Sequence, residues 1–390
     1  MAMVMATAMA TNTVTAITRN NMLSEKEITV KNRDAKRKEK KMSKGTKALL
    51  IIVCVLVGIA VLLAATAAIL TAVGRNALGG GDAMDITGTG DFENLGSGTI
   101  KHNGKLYSYN DDITCILLMG IDNYDKQENA GSGDSNQSDV NVLAVIDPKN
   151  EKLTLLSISR DTVCSLDILD NNGEYAGNAD AQLALAYSYG NSEEKSCELT
   201  ATAVSRLLYG LNIPAYASIY MNGITELVDT VGGVTVTPAD TFGDFAAGRK
   251  VELKGGLTEK YIRFRDQTIE GNNQRMQRQN QVLMALVYKA LNCVKENPTS
   301  VLDIYSGVQD NVTTNVNTAM MAYLAQQAVK LDFDGQIHSV PGHSELGEQD
   351  HAVFIIDEDA FIERFWKYFI IPLRVKIQIW YCNSCDCALI

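Results

Sequence analysis

The apolar positions in the first part of this chain's outer region form short, continuous runs. ITCILLMG (113–120), VNVLAVID (140–147) and KLTLLSIS (152–159) contain β-branched residues and few polar interruptions. Runs of this length are typical of strands that are buried on both faces of a sheet. Pro148-Lys149-Asn150 supplies turn chemistry between the last two runs. The pattern therefore predicts an antiparallel hairpin there.

Strands and helices alternate along the rest of the outer region. AQLALAYSYG and SCELTATAVSRLLYGL have helical spacing and stop at Gly190 and Gly210. The further predicted strands are AYASIYM, VTVTP, KYIRFRD and a segment near 335–340. The further predicted helices are NGITELVDTVGG, NNQRMQRQNQVLMALVYKALNCV and stretches near 316–330 and 358–369. This order predicts the α/β class, with one domain built around a central mixed sheet.

An uncharged stretch from Ala48 to Gly74 precedes this region, and its 27 residues are long enough to span a bilayer. Residues 31–47 carry nine basic and two acidic side chains, so the positive-inside bias predicts a cytoplasmic N-terminus and an extracellular region after Arg75. The alternative is a signal peptide cleaved near Ala65-Thr66-Ala67. Signal peptides have apolar regions of about 7–15 residues, which favours one uncleaved transmembrane helix.

These patterns divide the chain into five predicted parts. They are a basic cytoplasmic tail (1–47), a transmembrane helix (48–74), a flexible stalk rich in Gly, Asp and Thr (75–104), an extracellular domain (105–370) and an atypical tail (371–390). Met1, Met22 and Met42 remain alternative starts. The eight cysteines lack the spacing of a disulfide framework, and the C-x-x-C-x-C of the tail lacks an accompanying His/Cys cluster.

Charge is distributed unevenly along the chain. Residues 1–47 contain 11 Lys/Arg and 4 Asp/Glu, so the remainder has 35 − 11 = 24 basic and 46 − 4 = 42 acidic residues. An acidic outer region of net charge −18 repels nucleic acid and argues against a nucleic-acid partner. Arg263, Arg265, Arg275 and Arg278 nevertheless lie within 16 residues of one another. Either they form a solvated basic face or they bind an anion.

Two acidic residues flank neighbouring predicted strands. Asp122 follows the first apolar run, and Asp139 precedes the second. If the two strands are antiparallel, both carboxylates lie at one sheet edge. Two carboxylates suit Mg²⁺ (or Mn²⁺), which fills its remaining positions with water and phosphate oxygens. The alternative is that these acids cap turns.

Arginine side chains are predicted to converge near the same edge. Arg160 and Asp161 end the third run, and Arg263 and Arg265 are two residues apart on a predicted strand, so they point to one face. Arg275, Arg278 and Gln279 have i, i+3, i+4 spacing, which places them on one helical stripe. Guanidinium groups bind phosphate in a bidentate manner. The combination predicts a pyrophosphate site.

The outer region resembles the LytR-CpsA-Psr family of cell-envelope glycopolymer ligases. The resemblance extends from ILLMGID (116–122) to QRMQRQ (274–279) and includes TLLSISRDT, ITELVDTVGGVTVTP and KYIRFRD. It implies an α-β-α phosphotransferase fold that holds a polyprenyl-pyrophosphate-linked glycopolymer, with its lipid in an apolar cavity. It also implies transfer of the polymer onto peptidoglycan as a phosphodiester, outside a Gram-positive-type cell membrane, with release of polyprenyl phosphate.

The resemblance also implies roles for individual residues. Asp122 and Asp139 would hold the metal ion. The residues implied for pyrophosphate binding are Gln137, Arg160, Arg263, Arg265, Arg275, Arg278 and Gln279. The residues expected to act in catalysis are Arg160, Asp161, Arg263 and Arg265.

Three positions depart from the family pattern. Gln137 stands where an arginine is frequent, Asn272 replaces an acidic residue, and Ser159 replaces a proline. Two alternatives to a ligase therefore stay open. One is a non-catalytic module that binds the envelope or regulates it, and the other is a polyprenyl-pyrophosphate phosphatase.

Overall fold

The computed structural model describes residues 61, 64–79, 92–94, 99–102, 104–121, 123, 136–170, 172–264, 269–347 and 352–372. Sixteen strands are present in this part of the chain. The strands are β1 Phe92–Asn94, β2 Thr99–His102, β3 Lys105–Tyr109, β4 Thr114–Ile121, β5 Ser138–Asp147, β6 Lys152–Ile158, β7 Val163–Leu169, β8 Tyr175–Gln182, β9 Ala215–Tyr220, β10 Val234–Val236, β11 Val251–Leu253, β12 Val312–Thr314, β13 Asp332–Ser339, β14 Gly342–Leu346, β15 Ala352–Ile356 and β16 Ile370–Pro372.

Helices occupy much of the remaining described chain. They are α1 64–79, α2 Ala184–Ser188, α3 Glu193–Leu207, α4 Met221–Thr230, α5 Gly256–Arg263, α6 Ile269–Glu296, α7 Ser300–Ser306, α8 Thr318–Ala328, α9 Glu358–Phe361 and α10 Lys367–Phe369. A 3₁₀ turn at Gln309–Asn311 precedes β12, and a π-helical turn at Ile362–Trp366 joins α9 to α10.

The central sheet has six strands in the order β12-β9-β4-β5-β6-β13. The β4–β5, β5–β6 and β9–β12 pairs are antiparallel, whereas the β4–β9 and β6–β13 pairs are parallel. The predicted mixed sheet and its hairpin are thus confirmed. The predicted segments had missed the β7–β8 and β14–β15 hairpins, which lie outside this sheet.

Helices cover both faces of the central sheet. In β5, Leu143 and Val145 enter one hydrophobic cluster, and Val142 and Ala144 enter another, as the two-residue period of a strand requires. The first cluster also contains residues of α2, α3, α9 and α10, and the second contains residues of α1 and α8 and packs against α6. This double burial explains why the strands read as continuous apolar runs.

A third hydrophobic cluster lies among α4, β10, β11, α5 and α6. It contains Phe242, Tyr261 and Val282. Its existence corrects the prediction that KYIRFRD is a strand, because Lys260–Arg263 belongs to α5 instead. The buried residues Thr258, Tyr261 and Ile262 have i, i+3, i+4 spacing, so this contact selects a helix over the short alternation of the sequence.

Several predicted features lie at or beyond the limits of the described residues. The tail 1–47, most of the predicted transmembrane helix and residues 373–390 fall outside them. None of the described helices combines the length and apolar character needed to cross a membrane. Strand β2 falls in the predicted stalk and pairs with β3 along its length, so folded structure begins before residue 105.

A row of leucines across the sheet should carry much of the domain's stability. Leu117, Leu143 and Leu156 pair across β4, β5 and β6 and are essentially inaccessible to solvent. Leu143→Ala should lower the free energy of unfolding by about 2–5 kcal/mol, because it leaves a cavity in a close-packed layer. Leu302→Ala, at a site that is 46% exposed, is the control and should change it by about 0.5 kcal/mol or less. Urea unfolding measures both, and equal effects would contradict the assigned core.

Candidate functional site

Four central strands bring distant chain segments to one sheet edge. Ile121, the last residue of β4, pairs with Ser138 at the start of β5 and with Tyr220 at the end of β9. Strand β6 runs antiparallel to β5 and ends at Ile158, two residues before Arg160. The segments 136–139, 159–161 and 221–223 therefore lie at or next to the strand ends at this edge. Strands β4 and β5, which adjoin Asp122 and Asp139 in the sequence, are antiparallel, so the condition stated for a shared sheet edge is met.

Asp139 lies at a β-bulge. Gly120 pairs with Val140, but the next residue, Ile121, pairs with Ser138, which leaves Asp139 as the extra residue of β5. A bulge redirects a side chain and interrupts the regular ladder, and bulges are frequent beside active sites. The bulge therefore gives the Asp139 side chain a direction that a regular strand position would not.

The Arg160 cluster comprises Gln137, Asp139, Arg160 and Asp161. Arg160 donates through Nη1 to the Asp139 carboxylate and through Nη2 to the Gln137 side-chain oxygen. Its Nε lies 3.6 Å from Asp161 Oδ1. The guanidinium group is therefore held along its edges by three oxygen-bearing side chains, while a third of the side chain remains exposed (33%).

Asp161 is partly withdrawn from water. Gln182 Nε2 lies 3.3 Å from its Oδ1 and also donates to the backbone oxygen of Ala352. Burial raises the pKa of Asp161 above its ordinary value, and the charge of Arg160 lowers this pKa in part. A carboxylate with a raised pKa is better suited to accept a proton at neutral pH than an ordinary surface aspartate.

The Arg278 cluster comprises Arg278, Asp240, Phe242 and Phe264. Arg278 is almost completely buried, donates to the backbone oxygen of Phe264 at 2.6 Å, and lies 3.6 Å from Asp240 Oδ2. Its guanidinium carbon is 4.2 Å from the centre of the Phe242 ring, which is a cation–π distance. Arg278 thus joins a charged group to the third hydrophobic cluster.

Arg263 ends α5 rather than a strand. Its Nη1 pairs with Glu259 Oε1 at 3.0 Å, one helical turn earlier, and its Nη2 lies 3.5 Å from Asn222 Oδ1. Asn222 follows Tyr220 by two residues, so this contact links Arg263 to the chain segment that leaves β9 at the sheet edge.

The remaining predicted residues divide into two sets. Arg275 and Gln279 lie on α6 with Arg278, as the spacing predicts, and both are half-buried. Arg275 Nε is buried and makes no hydrogen bond to the described residues. Asp122, Arg265 and the side chain of Asn272 lie outside the described residues.

The polar side chains fit a divalent ion only in part. Asp139 contributes one partly exposed carboxylate, and Mg²⁺ requires only one or two. Within the described ranges, no group of three or more His, Cys, Asp or Glu side chains could hold a metal ion. The four cysteines described there are free thiols, and three of them are buried. A site at Asp139 would therefore depend on Asp122 and on oxygen atoms of the substrate.

Several contacts of the predicted residues were absent from the sequence interpretation. Gln182, Asp240 and Asn222 are far from their arginine or aspartate partners in the chain, so no local spacing reveals them. Glu259 is different, because it lies four residues before Arg263 and helical spacing would have indicated the pair.

The chain belongs to the LytR_cpsA_psr family, whose sequence model matches residues 88–365. An Enterococcus faecalis relative, the polyisoprenyl-teichoic acid–peptidoglycan teichoic acid transferase TagU, is 32% identical over 216 residues, which are 54% of this chain and 64% of the relative. Biofilm regulatory protein A of Streptococcus mutans is 28% identical over 58% of this chain and 54% of that protein. The match thus spans less than two thirds of either relative.

The fold is shared with a solved structure. Protein gbs0355 of Streptococcus agalactiae superposes with a TM-score of 0.53 at 26% identity, covering 66% of this chain and 88% of that one. The family resemblance and the α/β fold with a central mixed sheet are thereby confirmed.

The Arg160–Asp161 pair makes a testable electrostatic prediction. Arg160→Ala should raise the pKa of Asp161 further, because the cation that opposes the effect of burial is removed. Since the folded pKa lies above the unfolded value, the stability that Asp161 contributes is present below the unfolded pKa and is lost as pH rises through the folded one. NMR titration of the carboxyl carbon measures the shift. A lower or unchanged pKa would contradict the assigned contact.

Proposed function

We propose that this chain is a phosphotransferase that moves a polyprenyl-pyrophosphate-linked glycopolymer onto peptidoglycan as a phosphodiester and releases polyprenyl phosphate. The observation that carries the proposal is the Arg160 cluster, in which a partly exposed guanidinium is held at a sheet edge by Asp139, Gln137 and Asp161. A guanidinium oriented in this way is suited to bind phosphate oxygens in a bidentate manner. The names of the transferases to which the chain is similar support the same substrate class.

In the proposed reaction, a hydroxyl oxygen of peptidoglycan attacks the phosphorus atom that is bonded to the glycopolymer. The bond between this phosphorus and the bridging oxygen breaks, and polyprenyl phosphate leaves with that bond's electron pair. Asp161, whose pKa burial raises, accepts the hydroxyl proton. Arg160 stabilises the negative charge that develops on the leaving phosphate.

Side chains outside the Arg160 cluster would hold the other part of the pyrophosphate. Arg263, Arg265, Arg275, Arg278 and Gln279 are the proposed ligands. The polyprenyl chain would lie in an apolar cavity beside the third hydrophobic cluster, where Phe242 contacts Arg278.

Asp122 and Asp139 are the residues that would hold Mg²⁺ or Mn²⁺. The ion would neutralise charge on the pyrophosphate when bound. Asp139 is paired with Arg160 in this structure, so the chain itself balances the carboxylate's charge. Gln137 keeps the cluster free of a second cation and retains a side-chain amide that can donate to phosphate.

Variants of the Arg160 cluster test the proposal. Asp139→Ala should abolish metal-dependent transfer, and Arg160→Lys should slow it at least tenfold, about 1.4 kcal/mol of activation free energy, because lysine lacks the bidentate fork. The assay supplies a polyprenyl-pyrophosphate glycan and peptidoglycan to the full chain. It measures polyprenyl phosphate and polymer-linked peptidoglycan separately.

Arg206→Lys is the matched control, because Arg206 forms a bidentate pair with Asp167. This change should lower the melting temperature and leave the transfer rate unchanged. Lipid phosphate without linked peptidoglycan would instead identify a phosphatase. Binding of the donor without either product would identify a non-catalytic module, which the substitution at Gln137 favours, and both outcomes would reject the ligase.

We also propose that the chain is a single-pass protein of the cell membrane, with its N-terminus in the cytoplasm and the domain that contains β4–β6 outside. The supporting observation is the basic segment 31–47 before the apolar stretch. Protease added to intact cells should therefore digest the chain after Arg75 and spare an epitope placed before residue 47. Protection of the domain until the cells are lysed would refute this orientation.

A further inference from the structure

A carboxylate that the proposed reaction does not use lies in the first hydrophobic cluster. Glu193, the first residue of α3, is buried and accepts hydrogen bonds from Tyr187 Oη at 2.6 Å and from Tyr220 Oη at 2.6 and 2.7 Å. The side chains of both tyrosines belong to the surrounding cluster. A buried carboxylate is costly unless hydrogen bonds satisfy it, and these two phenols supply them.

The hydrogen bonds continue from Tyr220 to the sheet edge. Asn136 Nδ2 lies 3.5 Å from Tyr220 Oη, and Asn123 Nδ2 donates to Asn136 Oδ1 at 2.8 Å. Because the Tyr220 hydroxyl gives its only proton to Glu193, it can only accept from Asn136. This direction sets the Asn136 amide with its nitrogen toward Tyr220 and its oxygen toward Asn123.

Backbone contacts hold both asparagines as well. Ser188 Oγ, at the end of α2, donates to the Asn136 backbone oxygen at 2.7 Å. The Met221 amide, at the start of α4, donates to the Asn123 backbone oxygen at 3.1 Å. Asn136 itself is only 4% exposed. Three elements, α2, β9 and α4, therefore hold this pair of residues in place.

These hydrogen bonds involve residues that are next to candidate site residues in the sequence. Asn123 follows Asp122 directly in the sequence, and Asn136 directly precedes Gln137, three residues before the bulge at Asp139. We propose that Asn136 and Tyr220 are positioning residues, which fix the bulge and thereby hold Gln137 and Asp139 against Arg160. The expected effect on transfer rests on the proposed function. The expected effect on the bulge rests only on the observed contacts.

The two tyrosines that donate to Glu193 differ in one contact, which distinguishes a positioning role from a purely structural one. Tyr187 and Tyr220 both donate to Glu193, but of the two the observed contact with Asn136 belongs to Tyr220. Each hydroxyl donates to the same buried carboxylate and has one further, weaker contact. That contact is to Ser218 Oγ at 3.4 Å for Tyr187 and to Asn136 Nδ2 at 3.5 Å for Tyr220. Both changes should therefore weaken folding to a similar extent. The loss at Tyr220 also leaves the Asn136 amide without its acceptor. The two tyrosines therefore separate stability from positioning.

The test compares Tyr220→Phe with Tyr187→Phe in the full chain. Hydrogen exchange is measured at the amides of residues 137–140 without any substrate, and transfer is measured with a polyprenyl-pyrophosphate donor and peptidoglycan. We expect similar falls in melting temperature for the two variants. In Tyr220→Phe alone, exchange at 137–140 should speed up at least tenfold and kcat should fall by a similar factor, while the donor KM changes less than threefold.

Equal exchange at 137–140 in the two variants would overturn the proposal, whatever the transfer assay shows. If Tyr220→Phe does not fold, Asn123→Ala replaces it, because that half-buried residue lies at the outer end of the chain of contacts. Unchanged exchange in a folded Asn123→Ala would overturn the proposal equally. If the unaltered chain transfers nothing, the proposed function fails, and the exchange measurement still decides the positioning role.

Discussion

The β-bulge at Asp139 is the local constraint on which the candidate site depends. The pairing of β4 with β5 is regular up to Gly120 and Val140, and then the extra residue interrupts it. In a strand, a shift of one residue exchanges the two faces, so the bulge decides where the Asp139 carboxylate points. The partner of that carboxylate, Arg160, follows the end of β6. Tyr220, at the end of β9, supplies the hydroxyl that accepts a hydrogen bond from Asn136. The edge of a mixed sheet thus brings together residues that are distant in sequence, such as Ile121 and Tyr220, which are separated by 99 positions.

Ion pairs hold most of the described arginine side chains of the candidate site. Three of the described arginines of the site have acidic partners, which for Arg160 are Asp139 and Asp161, for Arg263 Glu259, and for Arg278 Asp240. Arg275 differs, because its buried Nε makes no hydrogen bond to the described residues. The ion pairs orient the guanidinium groups before a ligand arrives and limit their mutual repulsion. A pyrophosphate would offer the same cations stronger, more highly charged acceptors than single carboxylates or carbonyl oxygens do. Preorganisation of this kind lowers the entropy that binding costs.

Much of the fold could be predicted from the chain, because buried strands and long helices leave strong local patterns. The runs at β4, β5 and β6 and the period of α6 are examples. KYIRFRD was misassigned because its alternation is short, whereas the burial of Tyr261 and Ile262 depends on contacts with distant elements. At the site, local motifs indicated Asp139 and Arg160. They could not indicate the bulge or the Glu193–Tyr220–Asn136 contacts, since these depend on the pairing of segments distant in sequence.

A structure of the full chain with a short-chain polyprenyl pyrophosphate and Mg²⁺ would test the central claim most directly. The account predicts a pyrophosphate oxygen within about 3 Å of an Arg160 guanidinium nitrogen, with the lipid directed toward Phe242 and Arg278. It also predicts that the bulge at Asp139 is retained. A pyrophosphate bound elsewhere, with Arg160 still paired only to Asp139, Gln137 and Asp161, would contradict the account.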